Sequence, residues 1–447
     1  MLQVGMSRQI ITPELGVSLA GYFNPRPNTG VLDDLHVKVV LFKKDSVVTG
    51  IVSFELLFTN LLLVNNVKAK LKSKGYDFVD NLILAAIHTH TGSDIHHRED
   101  SLCGGDGLNE KQFASLEDKA VCAIEEAYVN LQDSTIELAK VNNNPCAFNR
   151  RFWMKDGTVQ TNPGKLNPNI DRVEGPLDDE ISILAIRQDG RLVGMIANIC
   201  NHNDTVGDNM VSADWPGRME KAIQNELASD VPVLTMVGCS GNINHLDVSN
   251  DDEYYGYQEA CRIGKAYSEI VLGLLDALEP VEVDKIQVDT SDFVIPFQFI
   301  SDERVAEAKA TIERIGDVST DEDMTSEGIA SGDGAVAKMF AEQLVSFKEK
   351  CSGKSRTFKL VNIKMGKDLM FLSAPGEPFT EAGLHVKENS PFKYNFITAY
   401  GNGSCGYMCM PECYSRGGYE ILPVVGGGPG QDTLMRLMAA WDELVSK

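Results

Sequence analysis

The sequence predicts a mixed α/β protein in which β-sheets are flanked by helices. Its 447 residues are 43% hydrophobic and 23% charged, a composition typical of a globular protein with ample core-forming material. Short apolar runs, typical of buried strands, interleave with longer amphipathic segments from one end of the chain to the other. No internal repeat, low-complexity segment or linker divides the sequence, so we expect residues 1–447 to form a single domain.

Strands are expected where short apolar runs end abruptly in polar or turn-forming residues. In chain order, the predicted strands are residues 36–42, 47–54, 81–87, 181–186, 192–199, 231–237, 358–363, 368–373 and 395–400.

Helices are expected where apolar residues recur at helical spacing over longer segments. The predicted helices are residues 62–73, 109–129, 215–229, 253–278, 302–315 and 334–350. Residues 316–332 are acidic and rich in small residues, which predicts an exposed loop. Residues 401–430 combine many glycines with Tyr407, Tyr414 and Tyr419, a composition typical of a loop that closely approaches a ligand.

The charge balance excludes some classes of partner. With 64 acidic and 41 basic residues, the net charge is −23. Binding to nucleic acid requires a basic face, and attraction to anionic lipid requires basic clusters, so neither is expected. The simpler interpretation of the charge is a solvated acidic surface that favours solubility.

The N-terminal sequence and the surroundings of the cysteines favour a cytoplasmic location. The first residues lack the basic start and apolar stretch of a signal peptide, and no window has the length of an uninterrupted transmembrane helix. Cys122, Cys200 and Cys239 lie in apolar segments, where free thiols are usually buried, which favours a reducing compartment. A periplasmic or secreted location is the alternative if a leader preceded this sequence.

Three further cysteines, Cys405, Cys409 and Cys413, recur every four residues. Such spacing on a helix would place three thiols on one face, as in a metal site. However, Gly406 and Pro411 disfavour a regular helix, and no fourth ligand is evident. We therefore expect these cysteines to be structural.

The most informative segment ends a predicted strand in His88-Thr89-His90-Thr91. On a strand, residues two apart point to the same face, so the two imidazoles would leave the sheet edge together. Neutral imidazole is the commonest protein ligand for zinc. The alternative is a hydrogen-bonded pair of histidines without a metal.

Other predicted strands also end in polar residues suited to catalysis. One is followed by His202, another by Cys239-Ser240-Gly241, and a third by Gly376-Glu377. Functional groups concentrate on loops held by a rigid sheet. Together these strand ends supply histidines, a carboxylate and a serine, which are the residue types of a catalytic zinc centre with a hydroxyl beside it.

Several motifs, in the same order along the chain, resemble those of the neutral (non-lysosomal, alkaline) ceramidase family. They are Ile11-Thr12-Pro13, Leu19-Ala20-Gly21-Tyr22, His88-Thr89-His90 followed by Gly92, Asn149-Arg150, His202 followed by Ser212-Ala213-Asp214, Gly238–Asn242, Gly376-Glu377, Gly406-Tyr407, Pro411-Glu412, Tyr414 and Tyr419-Glu420. The similarity covers nearly the whole chain and implies the ceramidase type of catalytic domain.

The resemblance implies a mononuclear Zn²⁺ held by His88, His202, Glu377 and Tyr407. It also implies catalytic roles for four further residues. His90 would lie beside the metal and protonate the leaving amine, Ser240 matches the family's essential serine, and Arg150 and Tyr419 match residues that contact the polar head of the substrate. Sequence alone leaves open whether Ser240 is a nucleophile or positions water.

The sequence departs from the family pattern where substrate would be held. Gly241 replaces the proline that usually follows the serine, Met408-Cys409-Met410 replaces small and hydroxylated residues, and Ile421-Leu422-Pro423 follows Glu420. The family's C-terminal immunoglobulin-like domain is also not expected in a sequence of this length. These departures concern the residues that would hold the substrate and leave the implied zinc ligands in place.

The leading hypothesis is a zinc-dependent amidohydrolase acting on an N-acyl amide, either ceramide or a smaller N-acyl compound. The alternatives are a metal-dependent esterase or other hydrolase on the same scaffold, and a catalytically silent binding protein. His96 and His97 are interpreted as exposed or substrate-side residues. His36, His245 and His385 receive no role.

Overall fold

The fold is described from a computed structural model. The description covers residues 1–22, 26–96, 109–318, 334–423 and 428–447. Most of the predicted loop at residues 316–332 therefore lies outside the described residues, and so does His97.

The described strands, in chain order, are β1 (Gln3–Ile10), β2 (Ser18–Leu19), β3 (Arg26–Pro27), β4 (Gly30–Val31), β5 (His36–Lys44), β6 (Val47–Phe54), β7 (Leu82–Ala86), β8 (Gln132–Asp133), β9 (Thr135–Asn142), β10 (Phe148–Asn149), β11 (Arg151–Met154), β12 (Val159–Thr161), β13 (Ile170–Val173), β14 (Glu180–Gln188), β15 (Arg191–Ile199), β16 (Met210–Val211), β17 (Val233–Val237), β18 (Ile243–Asn244), β19 (Glu279–Val281), β20 (Ile286–Pro296), β21 (Ser355–Met365), β22 (Leu369–Ser373), β23 (Glu377–Pro378), β24 (Tyr394–Thr398) and β25 (Tyr407–Met408).

The described α-helices are α1 (Leu61–Ser73), α2 (Glu110–Val129), α3 (Asp214–Glu226), α4 (Tyr257–Leu274), α5 (Asp302–Ile315), α6 (Gly334–Lys350), α7 (Thr380–Asn389), α8 (Cys413–Arg416) and α9 (Thr433–Ser446). Two short 3₁₀ segments, Asp77–Asn81 and Leu275–Ala277, come after α1 and α4 in the chain.

Three large sheets organise the chain, and they share one topology. Their strand orders are β7-β6-β5-β1-β8, β17-β15-β14-β9-β19 and β20-β21-β22-β24. In each sheet an antiparallel hairpin is followed by a helix and then by a strand that runs parallel to the second strand of the hairpin. The helices that make this crossover are α1, α3 and α7. The structure thus repeats a unit that is not evident from the sequence.

The inner faces of the three sheets meet in one central core. Phe42 and Ile51 of the first sheet, Leu184 of the second, and Ile363 and Phe371 of the third belong to the same cluster of buried residues. The outer faces are covered by pairs of helices, α1 with α2, α3 with α4, and α7 with α9. The parallel strands of the sheets are buried on both faces, which explains why strands such as β7 and β17 are continuous apolar runs.

Buried amides join the sheets where their parallel strands converge. The Asn198 side chain donates to the Ile397 carbonyl at 2.8 Å and accepts from the Ile397 amide at 3.1 Å. The side-chain oxygen of Asn402 accepts from the Leu84 backbone amide at 3.1 Å. The backbone amide of Asn402 donates to the Leu84 carbonyl. These bonds satisfy strand-edge groups that would otherwise be buried without partners.

The predicted fold class is confirmed, and each predicted strand and helix corresponds to an observed element with ends shifted by a few residues. The long elements that the sequence pattern missed include β1, β9, β20 and α9. β20 has alternating burial with many polar residues, so it lacks the continuous apolar run on which the prediction depended. Within the described residues, no helix is long and apolar enough to cross a membrane.

Candidate metal centre and active site

The candidate site lies at one end of the three-sheet core, beyond the carboxyl ends of the parallel strands. His88 follows β7, His202 follows β15 and Ser240 follows β17. Glu377 and Tyr400 follow β22 and β24 of the third sheet. All three sheets therefore contribute, and residues from distant parts of the chain meet at the point where the sheets converge.

The His-Thr-His-Thr segment lies beyond the end of its strand. β7 ends at Ala86, and His88 adopts a positive φ of 69°, which is uncommon for a residue with a side chain. The predicted strand alternation is therefore not what orients the two imidazoles. The hydroxyls of Thr89 and Thr91 both donate to the Ser212 carbonyl, at 2.7 and 2.9 Å, and fix the segment from behind.

The structure brings three histidines together. The Nε2 atom of His88 lies 3.1 Å from Nε2 of His202 and 3.2 Å from Nε2 of His90. These three residues form a group whose ligand atoms all lie within 4.8 Å of one another. Tetrahedral ligands about 2.0–2.1 Å from a zinc ion are separated by distances of this order.

Backbone carbonyls fix which ring nitrogen carries the proton. The Nδ1 atoms of His88 and His202 lie 2.8 and 3.0 Å from the carbonyls of Leu57 and Ser240. Because a carbonyl only accepts, Nδ1 is the protonated nitrogen in each ring. The Nε2 lone pairs of these two rings then face each other, an arrangement that a bound cation would stabilise.

Burial also keeps these rings uncharged. It lowers the pKa of His88 and of His202 well below 6.5, and it lowers the pKa of His90 to about 3. Nearby positive charge on Arg150 adds to the effect for each ring. The neutral form is the one that binds metal.

Glu377 supplies a carboxylate to the same centre. Its Oε2 atom lies 3.7 Å from Nε2 of His88 and 3.7 Å from Nε2 of His202, and has no hydrogen-bond partner within the described residues. Burial raises the pKa of Glu377 to about 7, opposed by the charge of Arg150 and by the hydroxyls of Tyr407 and Tyr400. A buried carboxylate oxygen without a partner, beside two imidazole lone pairs, fits the ligand set of a catalytic zinc site.

Tyr407 lies next to Glu377 in the short parallel ladder of β23 and β25. Its ring is buried and makes an edge-on contact with the ring of Tyr419, with 6.0 Å between centroids. Tyr419 is only partly buried. The two tyrosines therefore extend from the carboxylate towards the surface.

Arg150 is buried behind Tyr407 rather than exposed. Its Nε donates to Glu420 at 2.9 Å, its Nη2 donates to the Gly241 carbonyl at 2.7 Å, and its guanidinium lies 5.3 Å from the centroid of the Tyr407 ring. Glu420 also accepts from Arg151 at 2.6 Å. This network anchors the glycine-rich segment after residue 401 beneath the candidate site.

Ser240 is fully buried, and its hydroxyl has no hydrogen-bond partner within the described residues. Its carbonyl orients His202. The next residue, Gly241, packs so closely that an added Cβ would lie 2.5 Å from the Glu377 carbonyl. The serine thus lies on the loop that contacts both His202 and the Glu377 backbone.

Sequence reasoning gave no role in the site to three residues around this centre, namely Tyr400, Asp204 and Tyr22. The ring of Tyr400 stacks on His88, with 4.2 Å between centroids and 11° between planes. Asp204 lies 3.3 Å from Nδ1 of His90 and accepts from the Tyr22 hydroxyl at 2.5 Å. Asp204 follows His202 by two residues, and this closeness in sequence to a predicted ligand could have indicated that Asp204 lies near the site.

The remaining histidines and cysteines lie in other surroundings. His96 is partly buried and pairs with Asp94, and His385 pairs with Asp442 on the outer helices. Cys405, Cys409 and Cys413 each donate to a different oxygen acceptor, and the described cysteines are free thiols. Among the described residues, these three thiols do not belong to a group of potential metal ligands, and their structural role stays a prediction.

Comparison with solved structures identifies the fold. The chain is similar to a neutral ceramidase from Pseudomonas aeruginosa, with a TM-score of 0.72 and 18% identity over 99% of this chain and 74% of that one. It is also similar to a ceramidase complexed with C2, with a TM-score of 0.74 and 17% identity over the same shares of the two chains. No protein-family model matches the sequence, and no curated protein sequence matches it. The chain therefore has a ceramidase-like fold, as its motifs predicted.

Proposed function

We propose that this protein is a zinc-dependent amidohydrolase that cleaves an N-acyl amide bond. The observation that carries the proposal is the convergence of the Nε2 atoms of His88, His90 and His202 beside the Glu377 carboxylate. The similarity in fold to ceramidase structures supports an N-acyl substrate, either ceramide or a smaller N-acyl compound. Because the three sheets share one core, residues 1–447 are proposed to act as a single catalytic domain.

We assign His88, His202, Glu377 and Tyr407 as the zinc ligands. The two imidazoles present unprotonated Nε2 atoms, and the Glu377 oxygen faces both of them at 3.7 Å. Zinc bound there would polarise the acyl carbonyl and lower the pKa of its bound water towards about 7.

The surrounding residues handle the proton and the developing charge. His90, at the edge of the group, takes one proton from the attacking water and gives it to the nitrogen as the C–N bond breaks, so that an acid and an amine are released. Tyr419, at the outer side of Tyr407, donates a hydrogen bond to the carbonyl oxygen as it becomes negative. Arg150 adds positive charge from behind Tyr407.

Ser240 is assigned a water-positioning role. Its hydroxyl is buried and unpartnered in the described part of the chain, and its carbonyl is already used by His202. No histidine in that part of the chain is hydrogen-bonded to the hydroxyl as a general base would be. This arrangement favours a hydroxyl that orients water over an activated nucleophile.

The proposal is tested by metal content together with turnover. Purified protein should contain about one zinc per chain, and both His88→Ala and His202→Ala should lose it. His385→Ala is the matched control, since His385 pairs with Asp442 away from the centre. The zinc protein is then assayed with N-acyl amides of short and long chains and with the corresponding esters.

Each outcome has a defined meaning. Amide hydrolysis that disappears in both histidine variants supports the proposal. Hydrolysis of esters alone would replace it with a metal-dependent esterase. A protein that binds no zinc, or binds it equally in the variants, would contradict the proposed centre.

A further inference from the structure

We propose that Asp204 and Tyr22 are positioning residues for His90, forming a carboxylate–histidine pair that sets His90 apart from the two imidazoles assigned as ligands. The inference rests on the proposed function for its catalytic consequence. The hydrogen-bond geometry that supports it is independent of that function.

The first observation is an asymmetry among the three histidines. Nδ1 of His88 and Nδ1 of His202 are each held by a backbone carbonyl, at 2.8 and 3.0 Å. Nδ1 of His90 faces both the Gly21 carbonyl at 3.1 Å and the Asp204 carboxylate at 3.3 Å. Among the residues that the structure describes, His90 alone of this group has a carboxylate on the side away from the centre. A carboxylate in that position holds the ring in one tautomer and orientation.

The second observation is that Asp204 is itself held in place. The Tyr22 hydroxyl donates to Oδ1 of Asp204 at 2.5 Å, the same oxygen that faces His90. The Tyr22 ring makes an edge-on contact with the His90 ring, with 5.6 Å between centroids. Tyr22 therefore contacts both members of the pair and limits how they can move.

A buried arginine fixes the three loops that carry these groups. Arg26 donates to the carbonyls of Ala20 at 2.6 Å and Asp208 at 2.9 Å, and also to the carbonyl of His90. Its guanidinium lies 4.1 Å from the centroid of the Tyr22 ring. The segments that contain Tyr22, His90 and Asp204 are thus tied together by one side chain.

The backbone at Gly21 provides the space for the His90 ring. Gly21 has a φ of +104°, and a Cβ added there would lie 2.6 Å from Nδ1 of His90. The glycine lets its carbonyl approach that nitrogen from the same side as Asp204. The motif Ala20-Gly21-Tyr22 therefore supplies the room, one acceptor and the hydroxyl that holds the carboxylate.

The direct test is histidine-selective ¹⁵N NMR of the full chain, recorded with and without one equivalent of zinc. In the unaltered protein, Nδ1 of His90 should be protonated and hydrogen-bonded. Asp204→Ala should shift the His90 resonances and leave those of His88 and His202 in place, and Tyr22→Phe should cause a smaller shift in the same direction. The matched control is Asp442→Ala, which breaks the exposed His385–Asp442 pair of 2.9 Å on the outer helices and should leave all three unchanged.

A double-mutant cycle tests whether Asp204 acts through His90. On an N-acyl amide, Asp204→Ala should reduce kcat by about 10- to 100-fold with KM nearly unchanged, while zinc content stays at one per chain. In a His90→Ala background the same substitution should cost almost nothing more.

The outcomes separate this inference from the proposed function. Unmoved His90 resonances in Asp204→Ala, or an equal additional loss in the His90→Ala background, would overturn the positioning role. A protein that binds no zinc and cleaves no amide would refute the proposed function. The zinc-free NMR comparison would still decide the inference about Asp204.

Discussion

Glu377 and Tyr407 are register partners in a two-stranded parallel ladder, although thirty residues separate them in sequence. The Glu377 amide donates to the Gly406 carbonyl at 2.8 Å, which fixes the register next to the histidine group. The ladder places a carboxylate and a phenol side by side on rigid backbone. This relationship gives a structural basis for assigning both residues to one metal centre.

Substitution of these two partners should weaken zinc binding to different extents. Glu377→Gln removes the charge that faces both His88 and His202, so we expect zinc affinity to fall by more than about tenfold. Tyr407→Phe removes only a hydroxyl and should cause a smaller loss. Competition with a chelator measures both affinities. Glu388→Gln on the exposed side of α7 is the control, and equal affinity in all four proteins would exclude Glu377 and Tyr407 as ligands.

Gly21→Ala should impair the site through a clash with His90. The added methyl would lie 2.6 Å from Nδ1 of that ring. Gly16→Ala is a matched control, because Gly16 has a similar φ of +86° but nothing within 4 Å of a new Cβ. Both variants should lose a similar amount of stability from backbone strain. Only Gly21→Ala should also lose amide hydrolysis, and equal activity in the two would contradict the assigned place of His90.

The three histidines of the candidate site should destabilise the metal-free protein as the pH falls below about 6.5, an effect that Glu377, whose pKa burial raises to about 7, opposes at pH values above about 4.5. Burial lowers the pKa of His90 to about 3 and those of His88 and His202 well below 6.5, whereas the unfolded chain takes up these protons near pH 6.5. The unfolded state therefore binds more protons between about pH 6.5 and about pH 3. Each histidine should contribute at most about 1.4 kcal/mol per pH unit in this range, and nothing above it.

Urea unfolding of the metal-free protein at several pH values measures this slope. His90→Gln should reduce the slope, because one of the three imidazoles of the group is removed. Identical slopes in the unaltered protein and His90→Gln would mean that His90 takes up no extra proton on unfolding.

Glu420→Ala should destabilise the fold strongly. Glu420 is fully buried and accepts from Arg150 at 2.9 Å, Arg151 at 2.6 Å and Thr161 at 2.8 Å. Removal of the carboxylate leaves the buried Arg150 guanidinium without its carboxylate partner, whereas Arg151 keeps Glu174, and we expect a cost of about 3–5 kcal/mol in the free energy of unfolding. Glu412→Ala, on the exposed surface of the same segment, should change that free energy by less than about 0.5 kcal/mol. Similar values for both variants would show that the buried network does not stabilise this segment.

Many strands of the three sheets, though not β1, β9 and β20, were predictable because they are covered on both faces. Continuous apolar runs such as those of β7 and β17 have that pattern for this reason. β20 was missed because its residues alternate between buried and exposed positions. The repeated sheet topology could not be seen, since the repeats share a pattern of burial and not a sequence.

The sequence by itself determined the residue types of the site and the order of its motifs, including His88, His202 and Glu377, because each follows an apolar strand that a local pattern reveals. Tertiary structure alone decided which groups meet. The carbonyls that fix the ring tautomers belong to neighbouring loops of the same sheet as each histidine. The stacking of Tyr400 on His88 and the contact of Asp204 with His90 join loops from different sheets. Local periodicity reports burial of a strand, whereas the convergence of three sheets depends on packing between residues far apart in the chain.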